Sequence, residues 1–274
     1  MGRRRLLGLL ERHGLTPSRA LGQNFLVDPN TAERIVRLAG VGPGDRVVEV
    51  GGGVGSLTGP LAATGAEVTV VELDRRAAQV LRDELAGVRV VEGDAMALDW
   101  AGLLDGGRWQ LVANLPYNIA TPLVLDLLDG VPAIERMLVM VQREVADRLA
   151  AGAGSPAYGA PSVKLAYWAE ARVVGRVPAT VFVPRPKVES ALLEVVRRPD
   201  PAVDPALVPH ARFVAVVNAG FAHRRKMLRG ALAGVVGPAG FAAAGVDPAA
   251  RAGELDVAAW GRLAAQAHRP APAG

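Results

Sequence analysis

The run from Arg46 to Gly55, Arg-Val-Val-Glu-Val-Gly-Gly-Gly-Val-Gly, constrains the fold more than any other stretch of the chain. Val47, Val48 and Val50 read as a short buried strand. Gly51, Gly52, Gly53 and Gly55 follow at once. Lacking a Cβ, they let the backbone turn sharply and come close to a ligand. Ser56, Leu57, Thr58 and Leu61 then begin a helical pattern. Strand, glycine turn and helix form the opening unit of a ligand-binding α/β domain.

The unit recurs. Strands are expected over 67–72, 88–92, 109–113 and 135–141, and helices over 55–64, 75–86, 121–128, 143–150 and 161–170. Such alternation specifies a mainly parallel sheet with helices on both faces. Apolar runs at 171–177 and 190–196 add strands, with the proline-rich segment Phe182–Ser190 between them. Upstream, residues 3–13 read as a short basic helix. Asp28 is placed to cap a helix that starts with Pro29. After Arg197-Arg198-Pro199 the texture changes, and helical patterns resume at 207–221, 224–234 and 255–266. The expected division is an α/β domain over 1–198, with a basic N-terminal arm, and a small all-α domain over 199–274.

Charge separates these parts. Residues 1–23 hold five arginines and one acid, and no acid occurs between Asp204 and Asp247, where Arg224, Arg225, Lys226 and Arg229 cluster. Basic ends around an acidic middle suggest a polyanion gripped by the ends. Cysteine is absent, which excludes disulfides, thiol catalysis and cysteine metal sites. The histidines, His13, His210, His223 and His268, show no ligand spacing, so no metal is expected. The apolar stretch from Gly230 to Val246 is broken by Pro238 and too short for a bilayer. A soluble, cytoplasmic protein without a membrane segment is expected.

In an open parallel sheet the ligand sits beyond the carboxyl ends of the strands. Gly51, Gly53 and Gly55 lie there after the first strand, Glu72 after the second, Asp94 after the third and Asn114-Leu115-Pro116-Tyr117 after the fourth. Glu72 is placed to accept from ribose hydroxyls and Asp94 from an adenine amino group. The ligand therefore looks like an adenosine-containing cofactor. Its third glycine is displaced from the G-x-G-x-x-G of dinucleotide sites, which argues against a nicotinamide oxidoreductase. The spacing resembles that of S-adenosylmethionine-dependent methyltransferases.

Asn114-Leu115-Pro116-Tyr117 resembles the Asn/Asp-Pro-Pro-Tyr/Phe segment of amino-group methyltransferases. The Asn114 side-chain carbonyl and a backbone carbonyl, of Leu115 or Pro116, can each accept one N–H of an exocyclic amine. Those dipoles stabilise the amine as it gains positive charge. Pro116 fixes the loop, and Tyr117 offers a stacking face worth about 1–3 kcal/mol per base.

With these pieces the chain resembles the small-subunit ribosomal RNA adenine dimethyltransferase family. Further matches are Leu21-Gly22-Gln23-Asn24-Phe25-Leu26, Gln142-Arg143-Glu144-Val145, the segment from Phe182 to Ser190, and Arg224-Arg225-Lys226. The resemblance implies S-adenosylmethionine as donor. It implies two N6-methylations on each of two neighbouring adenosines near the 3′ end of 16S rRNA, within a 30S precursor particle. By the same resemblance Asn24 and Leu26 join Gly51, Gly53, Glu72, Asp94 and Asn114 around the cofactor. Read without it, the 22–26 stretch is an ordinary loop plugging the core with Phe25. Phe182 becomes a second stacking face opposite Tyr117, and Arg224, Arg225, Lys226 and Arg229 face RNA. A monomer is expected. One departure is Gly52, where the family usually has proline, so a looser turn is expected. The rival readings are a 23S rRNA adenine methyltransferase of the antibiotic-resistance type and a non-catalytic RNA-binding assembly factor on the same fold.

Overall fold

The computed structural model describes residues 1–18, 22–104 and 106–268. Leu21, the first residue of the Leu21–Leu26 match, lies outside them. The strands are β1 (Phe25–Leu26), β2 (Arg46–Val50), β3 (Glu67–Glu72), β4 (Arg89–Glu92), β5 (Trp109–Asn114), β6 (Ile134–Gln142), β7 (Ala169–Val177), β8 (Phe182–Val183) and β9 (Ser190–Arg197). Seven of them form one sheet in the order β4-β3-β2-β5-β6-β9-β7. The pairs β2–β3, β3–β4, β2–β5 and β5–β6 are parallel, and β6–β9 is antiparallel. This is a Rossmann-like sheet, as the resemblance implies, with an antiparallel extension, followed by a C-terminal helical region.

The valine-rich runs form strands because both sheet faces are covered. Val47, Val48, Val70, Val71, Leu111 and Val112 are all fully buried or nearly so. The helix Pro29–Ala39 starts where its sequence says: Asp28 accepts the Thr31 N–H at 3.0 Å, and Gly40 ends the helix with φ 66°. The basic helix Arg3–Arg12 is real and amphipathic. Leu6, Leu9 and Leu10 pack with Leu15, Phe25, Val54 and Val80, while Arg5 and Arg12 reach Glu84.

The chain divides into two compact units. One holds Met1–Ala146 and Arg172–Arg197; the other holds Asp147–Ala171 and Arg198–Gly274. Residues 147–171, placed with the α/β domain in the sequence division at 198, therefore belong with the C-terminal helices. The reason is aromatic. Tyr158, Val163 and Tyr167 are buried in one core with Phe213, Leu228, Phe241 and Trp260. Gly220 permits that packing, since a Cβ there would lie 2.3 Å from the Trp260 ring.

Two helical expectations change. The helix expected over 224–234 is only Leu228–Ala231. Arg224, Arg225 and Lys226 precede it in a turn closed by the Lys226 N–H on the His223 carbonyl, and Met227 bridges to Arg251. A helix at Pro238–Ala244, within the apolar stretch judged too broken to span a bilayer, ends at Gly245 with φ 61°. Among the described residues no helix is long and apolar enough to cross a membrane.

Candidate active site

Strand order opens the cleft. β2 leads to β3 on one side, while β5 flanks it on the other. Where the order reverses, the loops leaving adjacent strands diverge and leave a crevice beyond their carboxyl ends. Here it is a cavity of about 280 Å³. The glycine turn after β2, Glu72 and Leu73 after β3, Asp94 and Met96 after β4, and the 114–119 loop after β5 line it. Residues 22–26 form a further wall.

Gly51 and Gly53 adopt φ of 75° and 57°, a region that side-chain-bearing residues rarely enter. A Cβ on Gly53 would stand 2.8 Å from the Phe25 ring, and one on Gly51 3.4 Å from Pro116. The glycines thus let both the 22–26 segment and the 114–117 loop close on the turn. Phe25 does plug the core, as an ordinary loop would, yet its segment also walls the cleft. The turn around Gly52 is hydrogen-bonded on both sides. Gly51 N–H bonds the Val71 carbonyl at 2.9 Å, Gly53 N–H bonds Glu72 Oε2 at 2.8 Å, and Gly55 N–H bonds the Gly52 carbonyl at 2.9 Å. Gly52 itself is buried, and a Cβ there would meet Val70 Cγ1 at 2.5 Å. Val70 and Leu81 take the room that a larger residue would need.

Glu72 is buried, and burial raises its carboxyl above the usual range against the N–H groups of Asp74 and Gly53 that it accepts. Each oxygen keeps acceptor capacity for a further donor. Asp94 is exposed and spends Oδ1 on the Met96 N–H at 2.9 Å. Leu73 and Met96 also line the cleft and stand 53 % and 38 % exposed, apolar surface for a flat ring. Neither was anticipated; an isolated apolar residue just past a strand-end acid was the available signal. Glu49 was missed as well. It lies on β2, lines the cleft and is 1 % exposed, and burial pushes its carboxyl up to about 8.

The lining therefore carries three carboxyl groups and, among the described residues, no lysine or arginine. Without lysine or arginine among the described lining residues the cleft suits a pyrophosphate badly, while Glu72 and Asp94 offer acceptor oxygens to an adenosine. S-Adenosylmethionine fits this cleft. Asn24, Leu26, Gly51, Gly53, Glu72, Asp94 and Asn114 all line it.

At the acceptor end the Asn114 side chain is held. Its Nδ2 donates to the Asn24 carbonyl at 3.0 Å, which leaves Oδ1 as the free end of the amide. Leu115 is buried and its N–H bonds the Met140 carbonyl on β6 at 3.1 Å. The Pro116 carbonyl accepts the Ile119 N–H at 3.2 Å, so of the two backbone candidates Leu115 is the better acceptor. Tyr117 is half-buried, lines the cleft and shares a 2.8 Å hydrogen bond with Ser190 Oγ. Burial raises its phenol above the ordinary value.

Phe182 does not join this group. It is 2 % exposed, paired with Leu26 between β8 and β1, and packed with Val177 and Leu192. The stacking face expected opposite Tyr117 is not presented by this ring, which supports the cleft wall from behind. In the helical unit Arg225, Lys226 and Arg229 are exposed, and Arg224, also exposed, donates to the Pro156 carbonyl at 2.8 Å.

Residues 15–268 match the family model for ribosomal RNA adenine dimethylase. The chain belongs to the ribosomal RNA adenine dimethylase family. Its relatives include the ribosomal RNA small subunit methyltransferase A of Magnetococcus marinus, 49 % identical with 93 % of this chain and 94 % of that protein covered. The protein of the same name from Thermobifida fusca is 47 % identical, with 94 % and 92 % covered. Among solved structures, the 23S rRNA methyltransferase ErmE superposes with TM-score 0.70 at 28 % identity, covering 89 % of this chain and 99 % of that one. A dimethyladenosine transferase from Plasmodium falciparum gives 0.72 at 21 % identity over 87 % and 95 %, a likeness of fold. Dimethylase membership makes the enzyme S-adenosylmethionine-dependent, in agreement with the acid-lined cleft.

Proposed function

We propose that this chain dimethylates adenosine N6 in small-subunit ribosomal RNA during ribosome biogenesis, with S-adenosylmethionine as donor. Its targets are two neighbouring adenosines near the 3′ end of 16S rRNA, presented by a 30S precursor to a monomeric cytoplasmic enzyme. The oriented Asn114 amide carries the reading. With Nδ2 tied to Asn24, Oδ1 is left to accept an N–H of the target amine.

When bound, S-adenosylmethionine supplies an electrophilic methyl group. Asn24, Leu26, Gly51, Gly53, Glu72 and Asp94 would hold it, Glu72 by accepting from ribose hydroxyls and Asp94 from an adenine amino group. Asn114 Oδ1 and the Leu115 carbonyl accept the two N6–H groups. Their dipoles draw the nitrogen lone pair out of ring conjugation and stabilise the positive charge that develops there. Pro116 keeps the loop rigid, and Tyr117 stacks on a base turned out of its helix. No strong base is needed, because the proton is shed after N6 has become cationic. Arg224, Arg225, Lys226 and Arg229 meet RNA phosphates.

The likeness to ErmE supports a second reading, methylation of 23S rRNA. The higher identity to small-subunit enzymes favours the first. Methyl transfer from labelled cofactor to unmethylated 30S particles and, in parallel, to naked 23S RNA separates them once the modified nucleotide is mapped. Label confined to 23S RNA would overturn the proposal, and label in neither would leave an assembly factor without catalysis.

A further inference from the structure

The segment from Phe182 to Ser190 is a family match whose expected role, a stacking ring at Phe182, the structure does not provide. Its last residue makes a different contact. Ser190 opens β9, is fully buried, and shares a 2.8 Å hydrogen bond with the Tyr117 hydroxyl. β6 lies between β5, from which the 114–117 loop leaves, and β9. The loop is tied to β6 through Leu115 N–H and the Met140 carbonyl, and the tyrosine reaches past β6 to Ser190, the register partner of Gln142. Beside Ser190 the chain is clasped again. Arg143 N–H bonds the Glu189 carbonyl, and the Arg143 guanidinium bonds the Glu189 carboxylate, both at 3.0 Å.

The Tyr117 hydroxyl is partnered by a fully buried serine rather than left to water. With its backbone set by Pro116, a tyrosine keeps two free side-chain torsions. One bond from the ring's far end to the buried start of β9 removes the first, which sets the direction of the ring axis. We propose that Ser190 is a positioning residue that holds the axis of the Tyr117 ring in one side-chain rotamer beside the target adenine, an inference that rests on the adenine-methylating role given above. The serine acts through the tyrosine hydroxyl and touches neither RNA nor donor.

The test is a double-mutant cycle with Ser190→Ala and Tyr117→Phe, read as kcat and KM for methyl transfer into unmethylated 30S particles, with donor affinity measured by calorimetry. Each single variant is expected to lose roughly three- to tenfold in kcat, the worth of one hydrogen bond in the reacting complex. Donor affinity should stay at its wild-type value, and the double variant should be no slower than the slower single. Multiplying losses in the double variant would overturn the proposal, because the two groups would then act independently. A parallel fall in donor affinity would overturn it too, by making the serine a general support of the cleft. Should Ser190→Ala fail to fold, Tyr117→Phe removes the same bond from the other side, and wild-type turnover there refutes it. Failure of the wild-type enzyme on 30S particles strikes the functional reading instead and is seen in the same assay.

Discussion

Glu49 sets up a pH dependence of stability that one substitution removes. Its carboxyl sits on β2, fully buried, with Oε2 lacking a hydrogen-bond partner at normal geometry among the described residues, and burial, opposed by the nearby Thr58 hydroxyl, raises it from 4.5 to about 8. In the folded state the proton is therefore retained across a range where the unfolded chain has lost it. A raised acid favours the folded state below its unfolded value and costs stability as pH rises towards its folded value. The window is pH 4.5 to 8. From the two values the cost is about 1 kcal/mol at pH 5 and about 4 kcal/mol at pH 8. Glu49→Gln is nearly isosteric and does not titrate, so its stability relative to wild type should grow by about 3 kcal/mol between those pH values. Urea unfolding of both proteins at pH 5, 6, 7 and 8, without cofactor, measures the difference. Glu72, raised in the same direction, is present in both and cancels to first order. Parallel stability curves across the window would mean that Glu49 ionises in the folded protein, and the account of a protonated acid beneath the glycine turn would be wrong.

Three further outcomes are expected. Asn114→Ala should lower turnover at least a hundredfold, the scale of losing one aligned dipole, while binding to 30S particles by filtration changes little. Undiminished turnover would remove Asn114 from the chemistry. Neutralising Arg225, Lys226 and Arg229 together should weaken RNA binding and reduce the slope of log affinity against log salt by roughly two to three units; an unchanged slope would mean that this turn meets no phosphate. Arg197 donates to the carbonyls of Leu127, Leu128, Val131 and Ile134 at 2.8–3.2 Å, closing the end of the helix Ala120–Gly130 onto β9. Arg197→Ala should lower unfolding free energy by about 3 kcal/mol or more, read from the urea midpoint.

The sheet was legible because each strand is a short apolar run stopped by a glycine, acid or amide. Glu67–Glu72 has the bounds read from sequence, and Arg46–Val50 likewise. The strand-end placement of Glu72, Asp94 and Asn114 was legible for the same reason, since topology puts every parallel strand's carboxyl end on one side. Tertiary partnership was not legible. Residues 147–171 show an ordinary helix pattern, and nothing local says that Tyr158 and Tyr167 pack with Trp260. Phe182 is an aromatic in a polar, proline-rich segment, which reads as exposed until β8 is seen to pair with β1. Gly52 reads as loose because conformational freedom is a local property, while the bonds and the Val70 side chain that restrain it come from other strands. Ser190 carries no local signal at all.

The tether between Asn114 Nδ2 and the Asn24 carbonyl also bears on product distribution. An amide free to rotate would present its nitrogen as readily as its oxygen. This one is restricted to accepting. On the acceptor roles proposed above, unmodified adenine would bring two N–H groups to two carbonyls, whereas the monomethylated amine would bring one, its methyl group standing against the other oxygen. The two transfers to one nucleotide are thus chemically unequal, the second proceeding with one anchoring bond fewer. On that geometry monomethyladenosine would be a distinct kinetic species, and the yield of fully modified RNA would depend on how long the particle stays bound after the first event.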